Sequence, residues 1–267
     1  MSRLLPADPA TALHVEVSGN GPPLVLLHGW AMHGGVFAPL VERLRARFTL
    51  HVVDLPGHGG SRDCAVPLRL EPCVEAVATA VPEGAPWCGW SLGGLIALHA
   101  AATRPGTVTA LAMLCASPRF VRGEDWPFGV SAEIFREFAR GLREDYRGTL
   151  ERFVALEALG SDHAREETRA LRDALFARGE PTAAVLADGL AMLESTDLRG
   201  ALPRLAVPSL WLAGRRDRLV DPRGMAASAG LAPQSRAVVV EHAGHAPFLT
   251  HADAVATELT AQFGVAA

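Results

Sequence analysis

The chain has 267 residues, 49% hydrophobic and 20% charged, with a formal charge of −4 from 25 basic and 29 acidic residues. That length suits one large α/β domain whose core needs neither disulfides nor a metal, and the composition excludes a disordered or fibrous chain. The acidic balance argues against bulk nucleic-acid binding.

Every basic residue is arginine, which removes lysine-dependent chemistries: the Schiff base, the pyridoxal-phosphate linkage and the P-loop. Cys64, Cys73, Cys88 and Cys115 form no C-x-x-C pair, so they read as reduced thiols rather than as a zinc ribbon or thioredoxin-type site. The opening MSRLLPADPATALHVEV has no long apolar run after Arg3, and no stretch of about 18 uncharged apolar residues occurs anywhere. A cytoplasmic protein without signal peptide or membrane span is expected.

In chain order, Leu13 to Val17 reads as an edge strand and Leu24 to Leu27 as the first buried one. A helical pattern covers Val36 to Phe48, and a strand runs from Leu50 to Val53 into the turn DLPGHGGS. Cys73 to Val81 is helical, Trp87 to Trp90 a short strand, Leu92 to Thr103 a Gly- and Ala-rich helix, and Val108 to Cys115 a strand. This alternation predicts a mostly parallel sheet flanked by helices. Strand-like runs then vanish between Pro118 and Arg204, where helical stripes such as Ile134, Phe135 and Phe138 replace them. Strands return at Ser209 to Ala213 and Ala237 to Val240, and a last helix spans Asp253 to Phe263. The expectation is an α/β core, 1–117 and 205–267, with an all-helical cap, 118–204, inserted after the sixth strand.

GWSLG, from Gly89 to Gly93, matches G-x-S-x-G, with a strand leading in and a helix leading out. That is the setting of a nucleophile elbow, where crowding excludes side chains at Gly89 and Gly93 and presents Ser91 above the sheet at a helix N-terminus. A serine hydroxyl needs a base, and the base needs a carboxylate behind it, in the chain order Ser, Asp or Glu, His. His242, His245 and His251 follow the last strand; His245, in the Gly-marked loop HAGHAPF, is the candidate base. His242-x-x-His245 lacks a third ligand cluster, so no metal is expected. The acid is read as Asp217, just past the strand ending at Gly214, while Asp221 before Pro222 reads as an N-cap. CASPR, after the earlier strand, offers no carboxylate. The oxyanion hole is assigned to the backbone N–H groups of Leu92 and of Trp30 in the HGW turn, with the Trp30 indole lining the pocket beside Trp90. Asp54 in DLPGHGGS reads as structural.

HGW, DLPGHGGS, GWSLGG, GRRD and GHAPF, in this order, resemble the α/β-hydrolase superfamily over most of the chain. HGWAMHGGVF, the tryptophan before Ser91, HAPFLTH and TLERFVALEALGSDHARE resemble more narrowly the biotin-pathway esterases that cleave the methyl ester of pimeloyl-acyl-carrier protein. That resemblance implies a cofactor-free serine esterase, with substrate contacts from Trp30, Ser91, Leu92, Phe153, Val154, Ala155, Leu156, Glu157 and His245. Glu157 stands where those relatives carry glutamine. It also implies carrier docking through Arg152, Arg165 and Arg169. From Arg119 to Glu180 the segment holds 11 arginines and 13 acidic residues, a net of −2, yet Arg165, Arg169 and Arg172 share one helical face. The bland alternative is a solvated face with pairs such as Glu166 with Arg169. Competing functions are a general short-chain carboxylesterase, a proline iminopeptidase, a haloperoxidase, or a non-catalytic sensor on the same fold. A monomer is expected, because no heptad or spare apolar stripe remains.

Overall fold

The structure, a computed structural model, describes residues 10–264. Seven strands form one sheet: β1 (Val15–Gly19), β2 (Pro23–Leu27), β3 (Thr49–Val53), β4 (Ala85–Trp90), β5 (Val108–Leu114), β6 (Ser209–Gly214) and β7 (Ser235–Val240). Their spatial order is β1-β3-β2-β4-β5-β6-β7. Only β1 runs antiparallel, against β3; every other neighbouring pair is parallel.

The central strands are apolar without alternation because both faces are covered. Leu24 to Leu27 and all of β6 are buried, as a parallel sheet between helical layers requires. β1 at one edge is largely exposed. On one side α1 (Ala38–Leu44) packs with α9 (Ala252–Phe263); elsewhere α2 (Leu70–Ala80) packs on α3 (Leu92–Thr103), and α8 (Pro222–Leu231) covers β6 and β7.

Two helix boundaries differ from expectation because of proline. The pattern expected to be helical from Val36 to Phe48 divides into a 3₁₀ turn, Gly34–Phe37, and α1, which opens with Pro39 in its first turn. Pro39 suits a helix start, where no N–H partner is needed. Phe48 stays a core residue, but in the loop, with its N–H on Leu44 O at 3.0 Å. α2 starts before Pro72 rather than after it, since the first-turn N–H groups of a helix are unpartnered anyway.

Between β5 and β6 lie four helices, α4 (Ala132–Glu144), α5 (Tyr146–Glu157), α6 (Ala164–Ala177) and α7 (Ala183–Ser195), and a 3₁₀ stretch, Arg199–Arg204. The insertion therefore follows the fifth described strand, not a sixth. Five described strands, β1 to β5, precede residue 118. The inserted helices sit over the C-terminal ends of the strands. The Trp30 indole N–H donates to Leu186 O on α7 at 2.8 Å, and Trp30 meets Phe153 of α5 edge-on at 4.5 Å. His33, after β2, holds Ala174 O of α6 at 2.7 Å. No described helix is long and apolar enough to cross a membrane.

Candidate active site

Ser91 sits between β4 and α3 in a left-handed conformation, φ 52 and ψ −117. The surrounding packing explains the flanking glycines. A Cβ on Gly89 would lie 2.3 Å from Gly93 O, and one on Gly93 would lie 2.3 Å from Leu27 O. Backbone therefore touches backbone at both positions, and only glycine fits. The Ser91 N–H, on Leu114 O at 3.1 Å, ties the turn to the neighbouring strand.

The structure brings Ser91, His245 and Asp217 together. His245 Nε2 lies 3.0 Å from Ser91 Oγ, and Nδ1 lies 2.7 Å from Asp217 Oδ2. An ionised carboxylate only accepts, so Nδ1 carries the ring proton and Nε2 is free to accept from Ser91 Oγ. Asp217 is fixed from its other oxygen: Oδ1 accepts the N–H groups of Leu219 at 2.8 Å and Val220 at 2.9 Å. His245 is fixed at its backbone. Its carbonyl accepts the Trp90 indole N–H at 2.8 Å, and its N–H donates to Glu157 O at 3.4 Å. Sequence reasoning missed both anchors, because their partners lie far away along the chain. Trp90 consequently faces His245, Phe37 and Phe248, and Trp30 faces the inserted helices.

The other candidates separate cleanly. Asp221 caps α8 through Arg223 N–H at 2.8 Å. His242 pairs with Asp162 at 2.8 Å. Asp54 accepts from Gly34 N–H at 2.6 Å and Gly60 N–H at 2.8 Å, which makes it a loop tie.

The HGW turn abuts the serine: a Cβ on Gly29 would fall 3.2 Å from Ser91 Cβ and 3.0 Å from the Trp90 ring. Met32 N–H closes the turn on Gly29 O at 3.3 Å, with Ala31 at φ 63. Among the described residues, neither the Trp30 nor the Leu92 N–H has a protein acceptor. Beneath the turn, His28 donates from Nδ1 to Gly29 O at 2.8 Å and accepts Leu55 N–H on Nε2 at 2.9 Å. Its ring must therefore be neutral. Burial, then the nearby His58, holds His28 well below the ordinary histidine range; burial takes His58 down to about 4.

Both buried rings bind fewer protons in the native state than in the unfolded chain once pH falls below 6.5. Stability should therefore fall from about pH 6.5 toward 4, with His58 alone contributing about 3 kcal/mol. Urea midpoints across that range check this. A His58→Gln variant should lose much of the acid sensitivity, and an identical slope would contradict it.

The stretch 153–157 spans all sides of α5, as five successive helical residues must. Phe153, Val154 and Glu157 are buried, Leu156 is half-buried and Ala155 is exposed, so the five do not share one face. Glu157 is 1% exposed and neither carboxyl oxygen has a partner. Burial first, then the charge of Asp217, pushes its carboxyl well above the ordinary range. The unfolded chain loses this proton above 4.5 while the native state keeps it, so Glu157 destabilises progressively as pH rises. Glu157→Gln should gain on wild type in melting temperature as pH rises above about 4.5. A gap that does not change with pH would contradict this.

On the outer surface, Arg165 and Arg169 of α6 are exposed and have no ion pair among the described residues. Glu166 pairs with His163 at 3.7 Å rather than with Arg169. Arg172 reaches Glu151 at 3.9 Å, and Arg152 is held by Asp145 at 3.2 Å and by Thr149 Oγ1 at 2.7 Å.

Residues 22–252 match the α/β hydrolase fold family. The chain belongs to that family. As an α/β hydrolase it is 62% identical over 247 residues to a protein of Stenotrophomonas maltophilia named pimeloyl-[acyl-carrier protein] methyl ester esterase, covering 92% of this chain and 95% of the relative. A Xanthomonas campestris pv. campestris protein of the same name is 62% identical, with 92% and 97% covered. Among solved structures, an esterase from a Rhodococcus species superposes with a TM-score of 0.76 at 28% identity, covering 93% of both chains. A bromoperoxidase from Bacillus anthracis superposes at 0.85 with 20% identity, covering 93% of this chain and 94% of that one, and shares the fold alone.

Proposed function

We propose that this α/β hydrolase is a serine carboxylesterase that cleaves the methyl ester of pimeloyl-acyl-carrier protein, giving the free carboxylate and methanol for biotin synthesis. The observation that carries the reading is 62% identity, over 92% of the chain, to relatives bearing that name. The 3.0 Å and 2.7 Å contacts of His245 with Ser91 and Asp217 support the chemistry. Residues 118–204 act as the cap and residues 1–117 and 205–267 as the core.

In the proposed cycle His245 Nε2 takes the Ser91 Oγ proton as Oγ attacks the ester carbonyl carbon. The N–H groups of Trp30 and Leu92 hold the oxyanion, a role in which each donor is worth about 10²–10³ in kcat. The imidazolium, oriented and stabilised by Asp217, then protonates the departing methoxide, and methanol leaves. Water enters, gives its proton to His245, and hydrolyses the acyl-enzyme, so that Ser91 is regenerated.

The proposed partner is an acyl-carrier protein, met in the cytoplasm by a monomeric enzyme. Arg165 and Arg169, exposed and without an ion pair among the described residues, are its proposed docking cations, with Arg152, paired with Asp145, as a third; steering by such charges acts chiefly on association. Arg165→Glu with Arg169→Glu should lower kcat/KM for the carrier-bound ester about tenfold or more at low salt and leave p-nitrophenyl butyrate untouched. Equal loss on both substrates would discard the docking face. No cleavage of the carrier ester by wild type would discard the substrate.

A further inference from the structure

The loop that carries His245 lies between the core and the inserted helices. On the core side, a Cβ on Gly214, at the end of β6, would fall 2.0 Å from Gly244 O, so backbone meets backbone there. Arg216 N–H also donates to Ala243 O at 2.9 Å. On the other side the loop is held from the end of α5 and the link to α6. His245 N–H donates to Glu157 O at 3.4 Å, and Asp162 N–H donates to His242 O at 3.2 Å. A Cβ on Gly244 would fall 3.1 Å from Ser161 Cβ and 3.4 Å from Glu167 Oε2. The core side leaves no room to shift, so the place of His245 depends on how firmly the inserted helices hold the loop.

Glu167 of α6 stands at that contact, and the cycle above does not use it. It is fully buried. Its Oε1 accepts two hydroxyls, Ser161 Oγ at 2.8 Å and Thr250 Oγ1 at 2.7 Å. Ser161 belongs to the α5–α6 link, and its Oγ also accepts the His163 N–H at 3.1 Å. Thr250 ends the short helical turn Pro247–Thr250, which starts two residues after His245. One oxygen thus joins the link before α6 to the segment that follows the base, 83 residues further along the chain. Oε2 has no hydrogen-bond partner among the described residues. An apolar side chain would fill the same space with less desolvation. What a carboxyl adds here is direction, two hydrogen bonds fixed at one atom.

We propose that Glu167 is a positioning residue for the hydrolase: by gripping the Ser161 and Thr250 hydroxyls on one oxygen it holds the inserted helices against the His245 loop and keeps Nε2 within reach of Ser91. This rests on the Ser91–His245–Asp217 reading of the site. The bonds from Glu157 O and Asp162 N–H reach the loop only while the α5–α6 link stays in place, and Glu167 ties that link to the far side of the loop.

Glu167→Leu and Glu167→Gln test this, since both residues suit a helix interior. Glu167→Leu should lower kcat about 10- to 100-fold, alike on the carrier ester and on p-nitrophenyl butyrate and with KM little changed, because a base displaced by about 1 Å loses that much. Glu167→Gln keeps an oxygen for both hydroxyls and should restore kcat close to wild type. Thr250→Val added to Glu167→Leu should cost no further kcat, as the two act through one bond. Wild-type kcat in Glu167→Leu, equal losses in the leucine and glutamine variants, or a loss confined to KM would overturn the proposal. If the leucine variant does not fold, the other end of the bond decides: Thr250→Val should lose kcat and Thr250→Ser, which keeps the hydroxyl, should not, and equal kcat in the two overturns it. Ser91→Ala, assayed alongside, tests the triad separately. Undiminished turnover there would remove the base that Glu167 is held to position, whereas lost turnover there with an unaffected Glu167→Leu overturns this proposal alone.

Discussion

Ser91→Ala is expected to lower kcat by roughly 10⁴–10⁶ while leaving the fold intact. Among the described residues the hydroxyl makes one hydrogen bond, with His245 Nε2 at 3.0 Å, and the left-handed turn that holds it is fixed by Gly89, Gly93 and the Leu114 carbonyl instead. Alanine keeps the Cβ, so the melting temperature should change little. Covalent labelling by a serine-directed phosphonate should disappear with turnover. Retained burst labelling of the variant would place the nucleophile elsewhere.

Asp217→Asn should cost about 10⁴ in kcat for a reason visible in the hydrogen bonds. The N–H groups of Leu219 and Val220 demand an oxygen at the Oδ1 position. Asparagine must satisfy them with its carbonyl, which turns its NH₂ toward His245 Nδ1. That donor forces the ring proton onto Nε2, and Nε2 can no longer accept from Ser91. Position 217 thus changes the tautomer while the atoms stay in place. Asp221→Asn is the contrast: its carboxylate caps α8, so the variant should lose about 1 kcal/mol or less of stability and keep its activity. Activity surviving Asp217→Asn and lost in Asp221→Asn would reverse the assignment of the acid.

The parts of the molecule legible in the sequence are those set by local rules. β2, β6 and the later part of β5, from Leu111 to Leu114, announce themselves as apolar runs because both of their faces are covered. The elbow is legible because backbone contact at Gly89 and Gly93 leaves no choice of residue. Asp217 and His245 follow from chain order and from their places beyond strand ends.

What the sequence hides depends on how distant segments meet. Nothing local to Trp90 says that its indole will hold the carbonyl of His245, or that Trp30 will turn to Leu186 on the inserted helices. The raised carboxyl of Glu157 is equally illegible, since neither its burial nor the nearby charge of Asp217 shows along the chain. A run of five residues, 153–157, reads as one contact segment until the helix distributes it and exposes Ala155. Arg169 and Glu166 stand at the spacing of helical partners, yet Glu166 lies 3.7 Å from His163 and Arg169 has no ion pair among the described residues.

The most direct test of the account is kcat/KM for pimeloyl-acyl-carrier-protein methyl ester, measured for wild type and Ser91→Ala with p-nitrophenyl butyrate in parallel. Rapid release of methanol from the carrier ester, in strong preference to the small ester and lost in the variant, is the predicted result. Cleavage of the small ester alone would keep the triad and contradict the substrate, and carrier-ester cleavage that survives in Ser91→Ala would contradict the triad.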